Sequence, residues 1–153
     1  MAVYLRGRHR TWPDRRASLV GRRHSPYAAP MPHITVDYSD ALAETFDRRG
    51  FGLALHPLLA RTVVGSVTGC KTRFRQIDEC VIADGVDEVA MLHVEVALLS
   101  GRTPEAKAEL SRAVLGLARD HVKPTPGVTL HTSVDVCDLS RGSFASHTEE
   151  DHI

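Results

Sequence analysis

Lys71, Arg73 and Arg75 recur at spacing two. On a strand rising ~3.3 Å per residue, that spacing puts three cations on one face, about 7 Å apart in succession, which suits a substrate with several carboxylates. A solvated edge strand kept from aggregating by its charges gives the same pattern. Gly101-Arg102 stands just before a helix start, where a guanidinium and a helix N-terminus both favour an anion. His93 offers either a general base or a side chain satisfied by a neighbour at an interface. The most informative run is Met31-Pro32-His33-Ile34-Thr35-Val36. If the chain begins at Pro32, the proline presents a free secondary amine at the head of a strand. Apolar walls and cations such as Lys71 and Arg102 disfavour its ammonium form and make it a general base near neutral pH. The plain alternative is a proline opening an edge strand.

These residues need elements to hold them. Pro32 to Tyr38 alternates, with Ile34, Val36 and Tyr38 on one face, and reads as a strand. Leu55, Leu58, Leu59, Thr62 and Val63 give a helix within Gly52–Val64, stopped by Gly65, with Pro57 confining its regular part to the later turns. A second strand is expected over Lys71–Ile82, and Ala83-Asp84-Gly85 as a tight turn into a third, Glu88–Leu99. In that third strand Ala90, Leu92, Val94, Val96 and Leu98 form a core face, while Met91, His93 and Glu95 look the other way. Thr103-Pro104 opens a second helix whose buried stripe is Ala106, Leu110, Ala113, Val114, Leu117 and Val122, closed by Pro124 and Pro126. Val128–Cys137 alternates as a fourth strand. The order is β-α-β-β-α-β, an α+β domain with a four-stranded sheet and two helices on one face. The uncovered face must meet water, a ligand or a partner subunit.

With 153 residues, the chain holds about one domain. Its longest apolar stretch, Val89 to Leu99, is broken by His93 and Glu95, so no membrane span is expected. The net charge of zero hides a division. Residues 1–30 carry seven Arg and one Asp, whereas residues 31–153 carry twelve Lys and Arg against eighteen Asp and Glu. An acidic body argues against nucleic acid as the main partner. The head, interrupted by Pro13, Pro26 and Pro30, has no hydrophobic period and no signal-peptide core, so it is expected to be disordered. It is a basic binding tail, a transit-like leader, or a stretch ahead of the true start at Met31. The division is therefore 1–30 extension, 31–138 domain and 139–153 flexible polar tail. Cys70, Cys80 and Cys137 suggest neither a disulfide framework nor a zinc ribbon, and reduced cytoplasmic thiols are the simplest reading. His147, Glu149, Glu150, Asp151 and His152 follow no ligand spacing, so no metal site is expected. Phosphate loops, nucleophile elbows and His-Glu-x-x-His motifs are missing.

Met31-Pro32-His33-Ile34-Thr35-Val36 with Tyr38-Ser39-Asp40 resembles the opening of 5-carboxymethyl-2-hydroxymuconate isomerases, members of the tautomerase superfamily. Gly69-Cys70-Lys71-Thr72-Arg73 resembles their Gly-x-Arg-x-Arg segment, and Ala83-Asp84-Gly85, His93 and Gly101-Arg102 fall where that family has Ala-Asp-Gly, His and Gly-Arg. The similarity spans about residues 31–137. It implies a cofactor-free proton shuttle, in which the proline amine takes a proton from the 2-hydroxyl of a dienol tricarboxylate and returns it to a distant carbon. The product is the 2-oxo-3-ene isomer, in the catabolism of 4-hydroxyphenylacetate. By this resemblance Pro32 is the catalytic base, Arg102 binds a carboxylate, Lys71 stands at the family's other key arginine, and Arg73 joins them in substrate binding. It also implies a homotrimer with the uncovered sheet faces turned inward. Lys71 offers a point charge where the family has a planar fork, so the preferred polycarboxylate is expected to differ. Inside a chain, the Pro32 nitrogen is a delocalised amide and no base. Two other readings stay open: a non-catalytic module binding an anion through Lys71, Arg73, Arg75 and Arg102, and a basic head tethering the protein to a polyanion.

Overall fold

The computed structural model describes residues 32–64, 66–85, 88–147 and 149. The expected disorder of residues 1–30 lies outside them. Four strands, β1 (His33–Ser39), β2 (Lys71–Ile77), β3 (Val89–Leu99) and β4 (Thr129–Leu139), and two α-helices, α1 (Arg48–Leu59) and α2 (Pro104–Asp120), form the domain. The sheet order is β2-β1-β3-β4. β1 runs parallel to β2 and antiparallel to β3, and β3 runs parallel to β4, so two β-α-β units meet back to back along the β1/β3 seam.

Alternation decides which face is dry. Ile34 and Val36 of β1, and Ala90, Leu92, Val94, Val96 and Leu98 of β3, are buried against Phe51, Leu55 and Leu59 of α1 and Leu110, Val114 and Ala118 of α2. The opposite face carries His33, Thr35 and Asp37 beside Lys71, Arg73 and Arg75, because the pairing His33↔Lys71, Thr35↔Arg73, Asp37↔Arg75 puts cross-strand partners on one side. The cation stripe therefore stands on the uncovered face, at one edge of the sheet. Fully burying side chains such as Ile34 or Phe51 stabilises the fold by roughly 1.5–3 kcal/mol each.

The four-stranded, two-helix architecture stands as the sequence predicts, with corrections to the details. The first helix starts at Arg48, not Gly52, because the Asp47 carboxylate accepts from the Gly50 N–H (2.9 Å) and caps it. Pro57 lies inside that helix rather than delaying it. Its missing N–H removes the α-helical bond to the Leu53 carbonyl, and a π-helical segment, Ala60–Val64, follows. The second strand ends at Ile77, not Ile82, because its partner β1 ends opposite it, at Ser39, where the chain turns into a 3-10 turn (Asp40–Leu42). The Ala83-Asp84-Gly85 turn exists, with Ala83 at φ +52 and Gly85 at φ +74, but β1 lies between β2 and β3, so it closes no hairpin. Thr103 caps α2 by accepting from the Ala106 N–H, as expected, although the helix ends at Asp120, before the prolines.

A Cβ on Gly50 would sit 2.0 Å from the Asp47 carboxylate, so an alanine there must push the cap away. Gly50→Ala should therefore forfeit the gain of about 1 kcal/mol that alanine normally brings to a helix. In an Asp47→Ala background, itself about 1 kcal/mol less stable, the same change should recover that gain. Urea melts of the four chains check the non-additivity.

Candidate active site

Parallel pairing of β1 with β2 brings the candidate residues to one end of the sheet. Pro32 is buried immediately before β1, and its carbonyl accepts from the Lys71 N–H at 3.2 Å. β3 ends beyond the same point, since His33 pairs with Ala97, and the next residues deliver Gly101 (φ +124) and Arg102. The Arg102 guanidinium donates to the carbonyls of Leu99 and Val63 (2.5 and 2.8 Å), tying the end of β3 to the tail of the π-helical segment. Those two bonds hold it in place and leave further donors of its five for a ligand.

Arg73 lies one step inward along β2, where its Nε donates to the buried Thr35 hydroxyl at 3.0 Å. The stripe of three cations is not uniform. Arg75 makes a two-pronged pair with Asp37 (2.6 and 2.7 Å), so part of its charge is neutralised within the fold. That hydrogen bonding holds the Asp37 carboxyl below the usual carboxylate range and raises Arg75. His93 pairs with Asp37 across the β1/β3 seam, far from Pro32, and its Nδ1 is 2.8 Å from the Ser133 hydroxyl. The structure therefore brings Pro32, Lys71 and the Arg102 loop together, sets Arg73 beside them, and places His93 and Arg75 apart.

His33 and the segment after β4 have a place here that the sequence reading missed. Burial first, and then the charges of Arg73 and Lys71, push the His33 imidazole below its ordinary value. Its ring meets Phe144 edge-on, with centroids 5.7 Å apart. Phe144 arrives through the turn at Arg141–Ser143, where the Arg141 Nε donates to the Ser100 carbonyl at 2.8 Å. The segment expected to be a flexible tail from 139 thus begins with the last residue of β4 and a turn folded over the Pro32 end. The signal available was one apolar residue, Phe144, five positions past the strand. Burial also pushes the Cys70 thiol up, next to Lys71. Among the described residues no group of three or more His, Cys, Asp or Glu is placed to hold a metal ion, and no helix is long and apolar enough to cross a membrane.

A family model described as 5-carboxymethyl-2-hydroxymuconate isomerase matches residues 32–143. The chain belongs to that family. It is an isomerase of the tautomerase fold. The Escherichia coli 5-carboxymethyl-2-hydroxymuconate Delta-isomerase is 29% identical over 91 residues, covering 60% of this chain and 72% of the relative. A 5-carboxymethyl-2-hydroxymuconate isomerase from Deinococcus radiodurans R1 superposes with a TM-score of 0.68 at 25% identity, over 80% of this chain and 93% of that one. A fused 4-OT symmetric trimer shares the fold, with a TM-score of 0.59 at 20% identity over 74% and 90% of the two chains.

Two titrations test these electrostatics. Asp37, depressed by Arg75, contributes stability that is present above its unfolded pKa of ~3.9 and lost as pH falls through the folded value. Arg75→Gln should raise the Asp37 midpoint in a side-chain NMR titration. His33, lowered, works in the same direction at higher pH. Stability is full above ~6.5 and declines below it, where the unfolded chain takes up the proton first. Arg73→Ala should raise the His33 midpoint.

Proposed function

We propose that the protein is a cofactor-independent keto-enol isomerase of an unsaturated 2-hydroxy/2-oxo polycarboxylate such as 5-carboxymethyl-2-hydroxymuconate. Its base is the amine of Pro32, freed when the chain starts at that residue. The observation that carries this reading is that the family match opens on Pro32, which is buried at the head of β1 with Lys71 paired beside it. The nitrogen takes the 2-hydroxyl proton while electrons move through the conjugated chain, and the ammonium then gives the proton back at a distant carbon. Burial and nearby cations keep the amine unprotonated between turnovers. Arg102, with Lys71 and Arg73, binds carboxylates and stabilises the enolate charge that develops at the 2-oxygen. No cofactor is required by this sequence of steps.

The assembly we infer is a homotrimer with the uncovered faces turned inward. What supports it is the fold shared with a symmetric trimer and the charge layout across the sheet. Cations line β2, whereas Glu95 and Asp135 pair across β3 and β4, so the two edges complement each other head to tail. Three cysteines without a disulfide fit a cytoplasmic enzyme, and the proposed substrate would place it in 4-hydroxyphenylacetate catabolism.

A chain starting at Pro32 should convert the dienol in a UV assay, and Pro32→Ala should lose ~10²–10⁴-fold in kcat. The full chain, whose Pro32 nitrogen is an amide, should fall to the level of the alanine variant. Lys71→Arg should lower KM for a tricarboxylate by restoring a two-pronged contact. A Pro32-start chain that binds the polycarboxylate without isomerising it would instead establish the non-catalytic reading.

A further inference from the structure

We propose that the cavity beside the C-terminal end of α2 is a second binding site, for a small monoanion with an apolar body. The cavity, about 540 Å³, lies between the 3-10 turn, the last turns of α2, the loop that follows and the start of β4. Its volume falls within the ~300–1,000 Å³ of small-molecule sites. It is independent of the Pro32 site. Thr132 on its wall is aligned through Leu92 with Tyr38, six residues along β1 from Pro32, or about 20 Å at ~3.3 Å per residue.

One observation on the cavity wall points to a ligand. Gly116 lies in the middle of α2, where glycine weakens a helix relative to alanine. No fold contact accounts for it, since a Cβ there would meet nothing within 4 Å. What the missing side chain leaves open is the cavity.

The lining chemistry sets the class of ligand. Leu42, Val128 and Leu130 supply an apolar floor. Arg119 and Lys123 stand at the rim without an ion pair among the described residues, against one carboxylate, Asp120. A net single positive charge over an apolar floor selects one anionic head group and rejects a polycarboxylate. Pro124 and Pro126 fix the backbone of the loop, so the wall is formed before binding.

The test titrates octanoate into the ¹⁵N-labelled full chain, with hexylammonium as the charge-reversed probe. Expected are saturable shifts of the Gly116, Thr125 and Gly127 amides with octanoate and none with hexylammonium. Gly116→Leu, which projects a side chain into the cavity, should abolish them with no fall in melting temperature. Lys123→Glu should weaken octanoate roughly five- to tenfold. Shifts that never saturate, equal binding of hexylammonium, or octanoate affinity unchanged in a folded Gly116→Leu chain would overturn the proposal. Should Gly116→Leu fail to fold, unchanged octanoate affinity in the Lys123→Glu chain would overturn it equally.

Discussion

The parallel pairing of β1 with β2 is the constraint on which the rest depends. Its register, from His33 opposite Lys71 to Ser39 opposite Ile77, brings the Lys71 N–H to the Pro32 carbonyl. Because side chains alternate, a slip of one residue would send Lys71, Arg73 and Arg75 into the apolar layer and Thr72 and Phe74 out of it. The apolar partners of Phe74, Phe46 and Phe51, make that slip costly. A core-packing interaction therefore fixes where the cations stand relative to the proline.

The antiparallel seam between β1 and β3 does the complementary work. It runs β3 back past Pro32 so that the connection to α2 leaves from the same end, and Arg102 is clamped there by two carbonyls. Those bonds reduce the freedom a guanidinium loses on meeting a carboxylate, which is how a preformed site gains affinity. Asp37 has the opposite effect on Arg75, holding it to the sheet. Three residues of one stripe thus have different chemical opportunities, decided by what lies across the strand from each.

Much of this was legible in the sequence, and the reasons are local. Strict alternation in Ile34-Thr35-Val36 and in β3, and a Thr-Pro helix start at Thr103, are signals carried by neighbouring residues. The same locality explains the misreadings. Residues 78–82 were expected to extend a strand because nothing in them records that β1 ends at Ser39. The true start of α1 rests on Asp47, a cap followed by two arginines and a glycine rather than by an apolar run. At the site, the spacing of Lys71 and Arg73 was visible, but the Arg75–Asp37 pair depends on register between strands 38 residues apart. Phe144 against His33 depends on a turn after β4 that no periodicity announces.

The central claim is that the Pro32 nitrogen is an amine whose ammonium form is disfavoured where it sits. Its most direct test is an NMR titration of a Pro32-start chain labelled with ¹⁵N-proline, set beside the pH dependence of kcat/KM. The account predicts that the Pro32 nitrogen titrates near neutral pH, below the ~8 of an ordinary chain-terminal amine, and that the activity profile inflects at the same pH. A nitrogen that titrates at or above the ordinary value, or activity that ignores its titration, would contradict it.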